Sequence, residues 1–376
     1  MAKFIHTADW QIGMKAAHVG AAAETVRAQR LESARRVVQV AKEQNVEFTV
    51  VAGDTFEDNA VDRVLVQKVA DILGSFPRPV YIIPGNHDPL VPGSVWNHPA
   101  WKSHGNVYLL AEASPLEIDG ATLYPSPLGE KHSLKDPTRW MDAHDSKRIA
   151  VGIAHGTVEG VSQDALDYPI ARDAATRAGL DYLALGHWHS TAMFADGSGD
   201  TRMAYSGTHE TTKFGERDSG NVLLVEIAER GRPPRLTQIP TGGFGWESLE
   251  EDIREPDDLT RIREMLELKA DPHTTLLDLR LKGVLHQESQ AELARISEII
   301  QARFLYGRVD TSGLIPRPDD DSWLADVPVG VMREVARQLQ RLSDPTGTDD
   351  RPDYATPEVA TRAMLELYRM LQETKR

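Results

Sequence analysis

A layered α/β fold with a core of parallel strands is what the sequence predicts, and three observations predict it. Short apolar runs alternate with amphipathic helical segments, the pattern of strand–helix–strand units. Successive runs close on Asp, Asn or His. Beyond about residue 243 the pattern changes to one small β-α-β unit and two further helices. The chain has 376 residues, 40% hydrophobic and 26% charged, enough for two or three domains and a substantial core.

In chain order, residues 3–9 (KFIHTAD) read as a buried strand. A helix follows over about 25–44, with Leu31, Ala34, Val38 and Ala41 on one face. FTVVAGD (48–54) is a second strand, VDRVLVQKVADIL (61–73) a second helix, and PVYIIPGNHD (79–88) a third strand that breaks at Pro84-Gly85. Strand-like runs continue at 106–110, 121–124, 148–154, 182–186 and 221–227. TLLDLRLKGVL (275–285) alternates Leu277, Leu279 and Leu281 with Asp278, Arg280 and Lys282, as in a half-exposed strand. A helix over 289–304 and a short strand LYGRVD complete a small unit of about 245–315. A link, PRPDDD, leads to helices over 329–342 (Val331, Val335, Leu339 and Leu342 aligned) and from Thr356-Pro357 onward (Ala360, Met364, Leu367 and Leu371 aligned). The expected divisions are 1–243, 244–315 and 316–376.

Composition bounds the function. With no cysteine there are no disulfides, thiolate metal sites or cysteine nucleophile. No apolar stretch approaches the roughly 18–20 residues of a membrane span, and MAKFIHTADW lacks the features of a secretory signal, so a cytoplasmic protein is expected. A net charge of −15 counts against a stand-alone nucleic-acid binder, because phosphate neutralisation supplies most non-specific affinity. It leaves open a nuclease whose bound cations offset its acidic ligands.

The strand ends carry the chemistry. Asp9 follows FIHTA, Asp54 follows FTVVAG, and Asn86, His87 and Asp88 follow VYIIPG. His155 follows RIAVGIA, while His187 and His189 follow YLALG. Ligands of open α/β sheets bind beyond the carboxyl ends of the strands, so these groups are expected to converge. Any one alone reads equally as a helix cap, a core histidine or a turn residue; five in succession point to a metal centre. Carboxylate, amide and imidazole donors without sulfur suit Mn²⁺, Fe²⁺ or Zn²⁺. One carboxylate, Asp54, can bridge two ions about 3.5–4 Å apart, the spacing of two-metal phosphoester sites.

Asp9-x-Gln11, Gly53-Asp54, Gly85-Asn86-His87-Asp88, His155-Gly156 and Gly186-His187-x-His189 resemble the motif set of the calcineurin-like metallophosphoesterases. Within that family HTADWQIG, GDTFED, PGNHDP, GHWHS and YSGTHETTKFGE resemble the SbcD-like DNA repair exonucleases. The resemblance implies a β-sandwich flanked by helices, a small α+β capping domain that guides DNA, and C-terminal helices. It implies two Mn²⁺ ions, with Mg²⁺, Fe²⁺ or Zn²⁺ as substitutes. Asp9, Gln11 and His189 would hold the first, Asp54 would bridge, and Asn86, His155 and His187 would hold the second. His87 would contact the phosphate and protonate the leaving oxygen, with Asp88 orienting it. A homodimer docked through its final helices on an SbcC-like SMC-family ATPase is implied as well.

Two positions depart from the pattern. Gln11 stands where a histidine is usual; direct ligation by its amide oxygen, a harder and poorer donor, favours Mn²⁺ over Zn²⁺, and the alternative is a hydrogen bond nearby. Glu57 stands where a histidine lies near the phosphate path in the exonucleases, and is read as a solvated acid at a helix start. His6 is expected to pack under the site and His209 to contact substrate. His18, His98, His104, His132, His144, His273 and His286 are read as surface residues, and Trp96, Trp101 and Trp140 as loop anchors. A metal-dependent DNA exonuclease or endonuclease is therefore expected. The alternatives are a phosphodiesterase or phosphatase for small phosphoesters and a weakly active scaffold subunit.

Overall fold

The computed structural model describes residues 1–161, 167–318, 321–347, 352 and 355–374. Asp319 and Asp320 of the expected link lie outside the described residues. The chain forms two compact units, Met1–Gly245 and Trp246–Arg376.

The first unit contains β1 (Ala2–Thr7), α1 (Ala23–Glu43), β2 (Phe48–Ala52), α2 (Arg63–Gly74), β3 (Val80–Ile83), β4 (Val107–Leu109), β5 (Leu116–Ile118), β6 (Ala121–Pro125) and β7 (Ile149–His155). It continues with α3 (Ala174–Arg177), β8 (Tyr182–Gly186), β9 (Ala192–Ala195), β10 (Thr201–Tyr205), β11 (Asn221–Ile227) and β12 (Arg235–Pro240). Two six-stranded sheets result, ordered β12-β11-β1-β2-β3-β4 and β5-β6-β7-β8-β10-β9. The run β1 to β4 is parallel, as is β6-β7-β8-β10; the outer strands β11, β12, β5 and β9 pair antiparallel.

Alternation along each strand sets the layers, because successive side chains leave a strand on opposite faces. Phe4, Phe48, Val50 and Tyr81 of one sheet join Leu123, Val151, Ile153 and Tyr182 of the other in the layer between the sheets. Ile5, Val51 and Ile82 point outward instead, to α1 and α2 through Val37, Ala41, Val69 and Leu73. On the outer face of the second sheet, Tyr124, Leu183 and Leu185 pack with Ala174 and Ala178 in and just after α3. The expected sandwich flanked by helices is the observed architecture. Burial of both faces makes β2, β3 and β7 read as unbroken apolar runs. Strands β5, β9 and β12, at or next to sheet edges and half-exposed, lack that signal.

The second unit contains β13 (Gly245–Ile253), α4 (Pro256–Glu267), β14 (Thr275–Leu285), α5 (Gln290–Arg303), β15 (Tyr306–Pro316), α6 (Val331–Ser343) and α7 (Pro357–Thr374). Its sheet is ordered β13-β14-β15, with β14 and β15 parallel. Asp278, expected on the exposed face of β14, is buried beneath the guanidinium of Arg308, 2.9 Å away at Nη2, and that of Arg280 at 3.0 Å. Ala336 and Leu339 of α6 pack with Leu367, Met364 and Leu371 of α7 around Trp323. Val331 and Val335, expected on the same stripe, stay exposed. His286 is buried rather than at the surface. No helix among the described residues is long and apolar enough to cross a membrane.

Candidate metal centre

Parallel pairing puts the carboxyl ends of β1, β2 and β3 side by side, and those of β7 and β8 likewise. Stacking the two sheets brings these ends to one edge of the sandwich. There His155, the last residue of β7, reaches across to β2: its Nδ1 donates to the Ala52 carbonyl at 2.9 Å. That bond leaves Nε2 facing the centre, the arrangement that prepares an imidazole to bind a cation.

The loops leaving these strands are tightly bent. Asp9, Gln11, Asp54 and His187 all have positive φ, at 55°, 42°, 49° and 108°, and such non-glycine conformations persist only where surrounding structure over-determines them. Glycines beside them allow close approach. A Cβ on Gly85 would lie 2.1 Å from Asp54 Oδ1, and one on Gly186 would lie 2.0 Å from the Ala52 carbonyl oxygen. The pairs Gly85-Asn86 and Gly186-His187 therefore reflect packing of backbone against the ligand layer.

Asp9, Asp54 and His155 are buried, and their ligand atoms lie within 4.8 Å of one another. His155 Nε2 lies 3.3 Å from Asp54 Oδ2 and 2.9 Å from Asn86 Oδ1. His187 Nδ1 approaches the same Asn86 oxygen at 3.2 Å, and the His187 amide donates to Asp9 Oδ1 at 2.9 Å. Gln11 is placed beside Asp54 by its backbone amide, which donates to the Asp54 carbonyl at 2.9 Å. Lone pairs of carboxylate, amide and imidazole thus converge in a buried space, and only a positive charge reconciles them. The donor set fits divalent cations: hard and borderline donors, no sulfur, and room for a bridging carboxylate at Asp54.

Electrostatics in the centre point the same way. Burial, reinforced by Asp54, pushes Asp9 up to about 6 against the pull of the nearby histidines. Burial resists charge on Asp54 too, but the facing His155 outweighs it and holds Asp54 well below the usual carboxylate range. His155 shows the converse: burial opposes its charge, yet the Asp54 carboxylate raises it to about 9. His187, buried beside His155, is lowered to about 4.

His189 is held by a residue to which the sequence assigned no role. Glu216 Oε1 lies 2.7 Å from His189 Nδ1, while Glu216 Oε2 accepts the Thr212 amide at 2.8 Å. Burial works against charge on His189, but this carboxylate more than offsets it and raises the imidazole above its ordinary value. A carboxylate behind a histidine sets the tautomer and raises the basicity of the ligand nitrogen.

Three expectations are corrected. Asp88 does not orient His87: its Oδ1 accepts the Gly85 amide at 2.7 Å and its Oδ2 the Phe56 amide at 3.0 Å, so it braces the two ligand loops. His87 is oriented by the Glu57 carbonyl, 2.9 Å from Nδ1, and its amide donates to Asp54 Oδ1. Glu57 is not the helix-start acid; Asp62 caps α2, accepting from the Val64 amide at 2.8 Å. His209 is not in the cleft: it is fully buried, packs against the Trp10 ring with centroids 4.9 Å apart and tilted by 31°, and bonds through Nε2 to the Arg30 carbonyl. His6 lies beneath the centre, bonded to Tyr182 and to the Leu185 carbonyl, and burial lowers it to about 3.

A family model described as calcineurin-like phosphoesterase matches residues 2–191, which include Asp9 through His189. Among curated proteins, the chain is 25% identical over 305 residues to an uncharacterized metallophosphoesterase of Bacillus subtilis (strain 168), YhaO, covering 74% of this chain and 69% of that one. Among solved structures it is similar to the protein TT1561 of Thermus thermophilus, with a TM-score of 0.43 and 10% identity, covering 64% of this chain and 99% of that one. It is also similar to the calcineurin-like phosphoesterase YfkN from Bacillus subtilis, with a TM-score of 0.38 and 11% identity over 64% of this chain and 90% of that one. The family match spans just over half of the 376 residues and every strand end that bears a candidate ligand. This chain belongs to the calcineurin-like phosphoesterase family, whose members are metal-dependent phosphoester hydrolases.

Proposed function

We propose that this protein is a two-cation DNA nuclease of the SbcD-like kind, the phosphodiester-cleaving subunit of a cytoplasmic DNA repair or defence complex. The observation that carries the reading is the half-exposed His87, whose amide donates to Asp54 Oδ1 within a buried set of cation donors. Mn²⁺ is the favoured cation, with Asp9, Gln11 and His189 on one side, Asn86, His155 and His187 on the other, and Asp54 between.

Bound divalent cations would supply an acidified water and neutralise charge on the phosphoryl oxygens. The chain supplies the rest. Asp54 holds the His87 loop through its amide, so the carboxylate that would bridge the cations also positions the acid. With Nδ1 donating to the Glu57 carbonyl, Nε2 of His87 is the nitrogen left to face a substrate phosphate and give a proton to the departing oxygen. Glu210 and Glu216 lie in the segment that resembles the exonucleases, and Glu216 supports His189 there.

The second unit supports DNA as substrate rather than a small phosphoester, because residues 246–376 build a separate core beyond the catalytic unit. Val329, Val331, Met332 and Val335 form an exposed apolar face on and before α6, which suits docking to an SMC-like ATPase. A homodimer completes the reading.

The test is Mn²⁺-dependent cleavage of end-labelled linear DNA, run beside bis-p-nitrophenyl phosphate, with Asp54→Ala as control. Cleavage of both substrates by the native protein and of neither by the variant is expected. Turnover of the small diester with DNA left intact would overturn the nuclease reading in favour of a small-phosphoester enzyme.

A further inference from the structure

One buried residue that the chemistry above leaves unused is Arg30, in α1. It is 1% exposed, and a guanidinium is rarely buried without several partners. Among the described residues, every hydrogen-bond partner of its guanidinium belongs to the loops around the metal centre. Nε donates to the Trp10 carbonyl at 3.0 Å, Nη1 to the Glu210 carbonyl at 2.8 Å, and Nη2 to the Asp9 carbonyl at 3.4 Å and Thr208 Oγ1 at 3.2 Å.

The course of the backbone explains why a cation is needed there. Beyond β1 the chain runs beside residues 53–55, and the amides of Asp9, Gln11 and Ile12 donate to the carbonyls of Gly53, Asp54 and Thr55. The positive φ of Asp9 and of Gln11 turns the intervening carbonyls the other way. The carbonyls of Asp9 and Trp10 then face the protein interior, where an unpaired acceptor is costly. Arg30 satisfies both with one planar fork, which a lysine does not reproduce.

The same guanidinium reaches the opposite side of the centre. Thr208 pairs with Ala8 as an isolated parallel bridge, and its amide donates to the His189 carbonyl at 2.9 Å. Its hydroxyl also donates to the Glu210 carbonyl at 2.8 Å. One turn along α1 from Arg30, Ser33 bonds the Glu210 carboxylate at 2.6 Å, and the Gly243 amide bonds it at 2.7 Å. Arg30 therefore ties the backbone that carries Asp9 to the backbone that carries His189.

We propose that Arg30 is a positioning residue for the cation shared by Asp9 and His189, acting through the Asp9–Trp10 carbonyls and Thr208. The inference rests on the two-cation reading of the centre. It makes the two halves unequal: Asp9 and His189 depend on Arg30, whereas Asn86 and His155 are held by Ala52 and by each other.

The experiment uses the full-length, metal-stripped protein, with Mn²⁺ binding measured by calorimetry and thermal unfolding recorded without metal. In Arg30→Lys, which keeps the charge and loses the fork, one Mn²⁺ is expected to bind about tenfold or more weaker while the other stays within about twofold of the native value. Thr208→Val, which fills the same space without the hydroxyl, should weaken the same ion by a smaller factor. Should Arg30→Lys fail to fold, Thr208→Val decides. Unchanged affinity for both ions in the variants, even with a lower Tm, overturns the inference, as does equal weakening of both. A native protein that takes up no Mn²⁺ overturns the cation reading itself.

Discussion

Nδ1 of His189 lies 2.7 Å from Oε1 of Glu216, twenty-seven residues later in the chain. The pair joins a candidate ligand to the carboxylate that sets its tautomer and basicity. Glu216→Gln keeps the shape and removes the charge. Affinity for one Mn²⁺ is expected to fall about 10- to 100-fold, with the fold intact. Titration of the metal-stripped variant beside the native protein checks this, and equal affinities would remove Glu216 from the site.

The metal-free protein should lose stability as pH rises between about 6.5 and 9. His155 is raised from 6.5 to about 9 in the folded state, so folding holds its proton. That stabilisation is complete below about pH 6.5 and is lost as pH passes 9, on the order of 3 kcal/mol in all. His189, also raised, acts in the same direction. His187, lowered to about 4, and Asp54, held low, act only at more acid pH. Melting curves in chelator across this range should show a falling Tm. Added Mn²⁺ should stabilise more as pH rises, because it takes the place of the proton. A level Tm from pH 6.5 to 9 would refute the His155–Asp54 account.

Gly85→Ala should abolish metal uptake without unfolding the sandwich. Its new Cβ would lie 2.1 Å from Asp54 Oδ1 and 2.3 Å from the Asp54 amide nitrogen, so the carboxylate must move. Gly105→Ala, which meets nothing within 4 Å, is the matched control. Metal content by elemental analysis should separate the two, and full occupancy in Gly85→Ala would show that Asp54 can give way.

His87→Gln should lower kcat about 10²- to 10⁴-fold, the usual contribution of a general acid, with Mn²⁺ stoichiometry unchanged. The loss should be smaller on a substrate whose leaving group is p-nitrophenolate, which departs without a proton. Equal losses on p-nitrophenyl and alkyl phosphodiesters would assign His87 to phosphate binding rather than proton transfer.

The sequence by itself determined the strands and the ends at which Asp9, Asp54, Asn86, His155 and His187 sit. These strands are buried on both faces, and a continuous apolar run closed by a ligand residue is visible in one dimension. Half-exposed edge strands such as β5 and β9 carry no such mark, since water takes the place of one apolar face. Only the tertiary structure decided what holds the ligands. Asp88 could not be assigned to the Gly85 and Phe56 amides, nor His87 to the Glu57 carbonyl, because hydrogen bonds to backbone leave no trace in residue type. His209 looked like a cleft residue for its place in a turn, and packing beneath Trp10 made it part of the interior. Arg30 and Ser33 were legible in one respect: helical spacing from Val26 to Val37 places them on the buried face of α1. Their partners come from residues 9–10 and 208–210, and long-range contacts of that kind exist only once the two sheets have stacked.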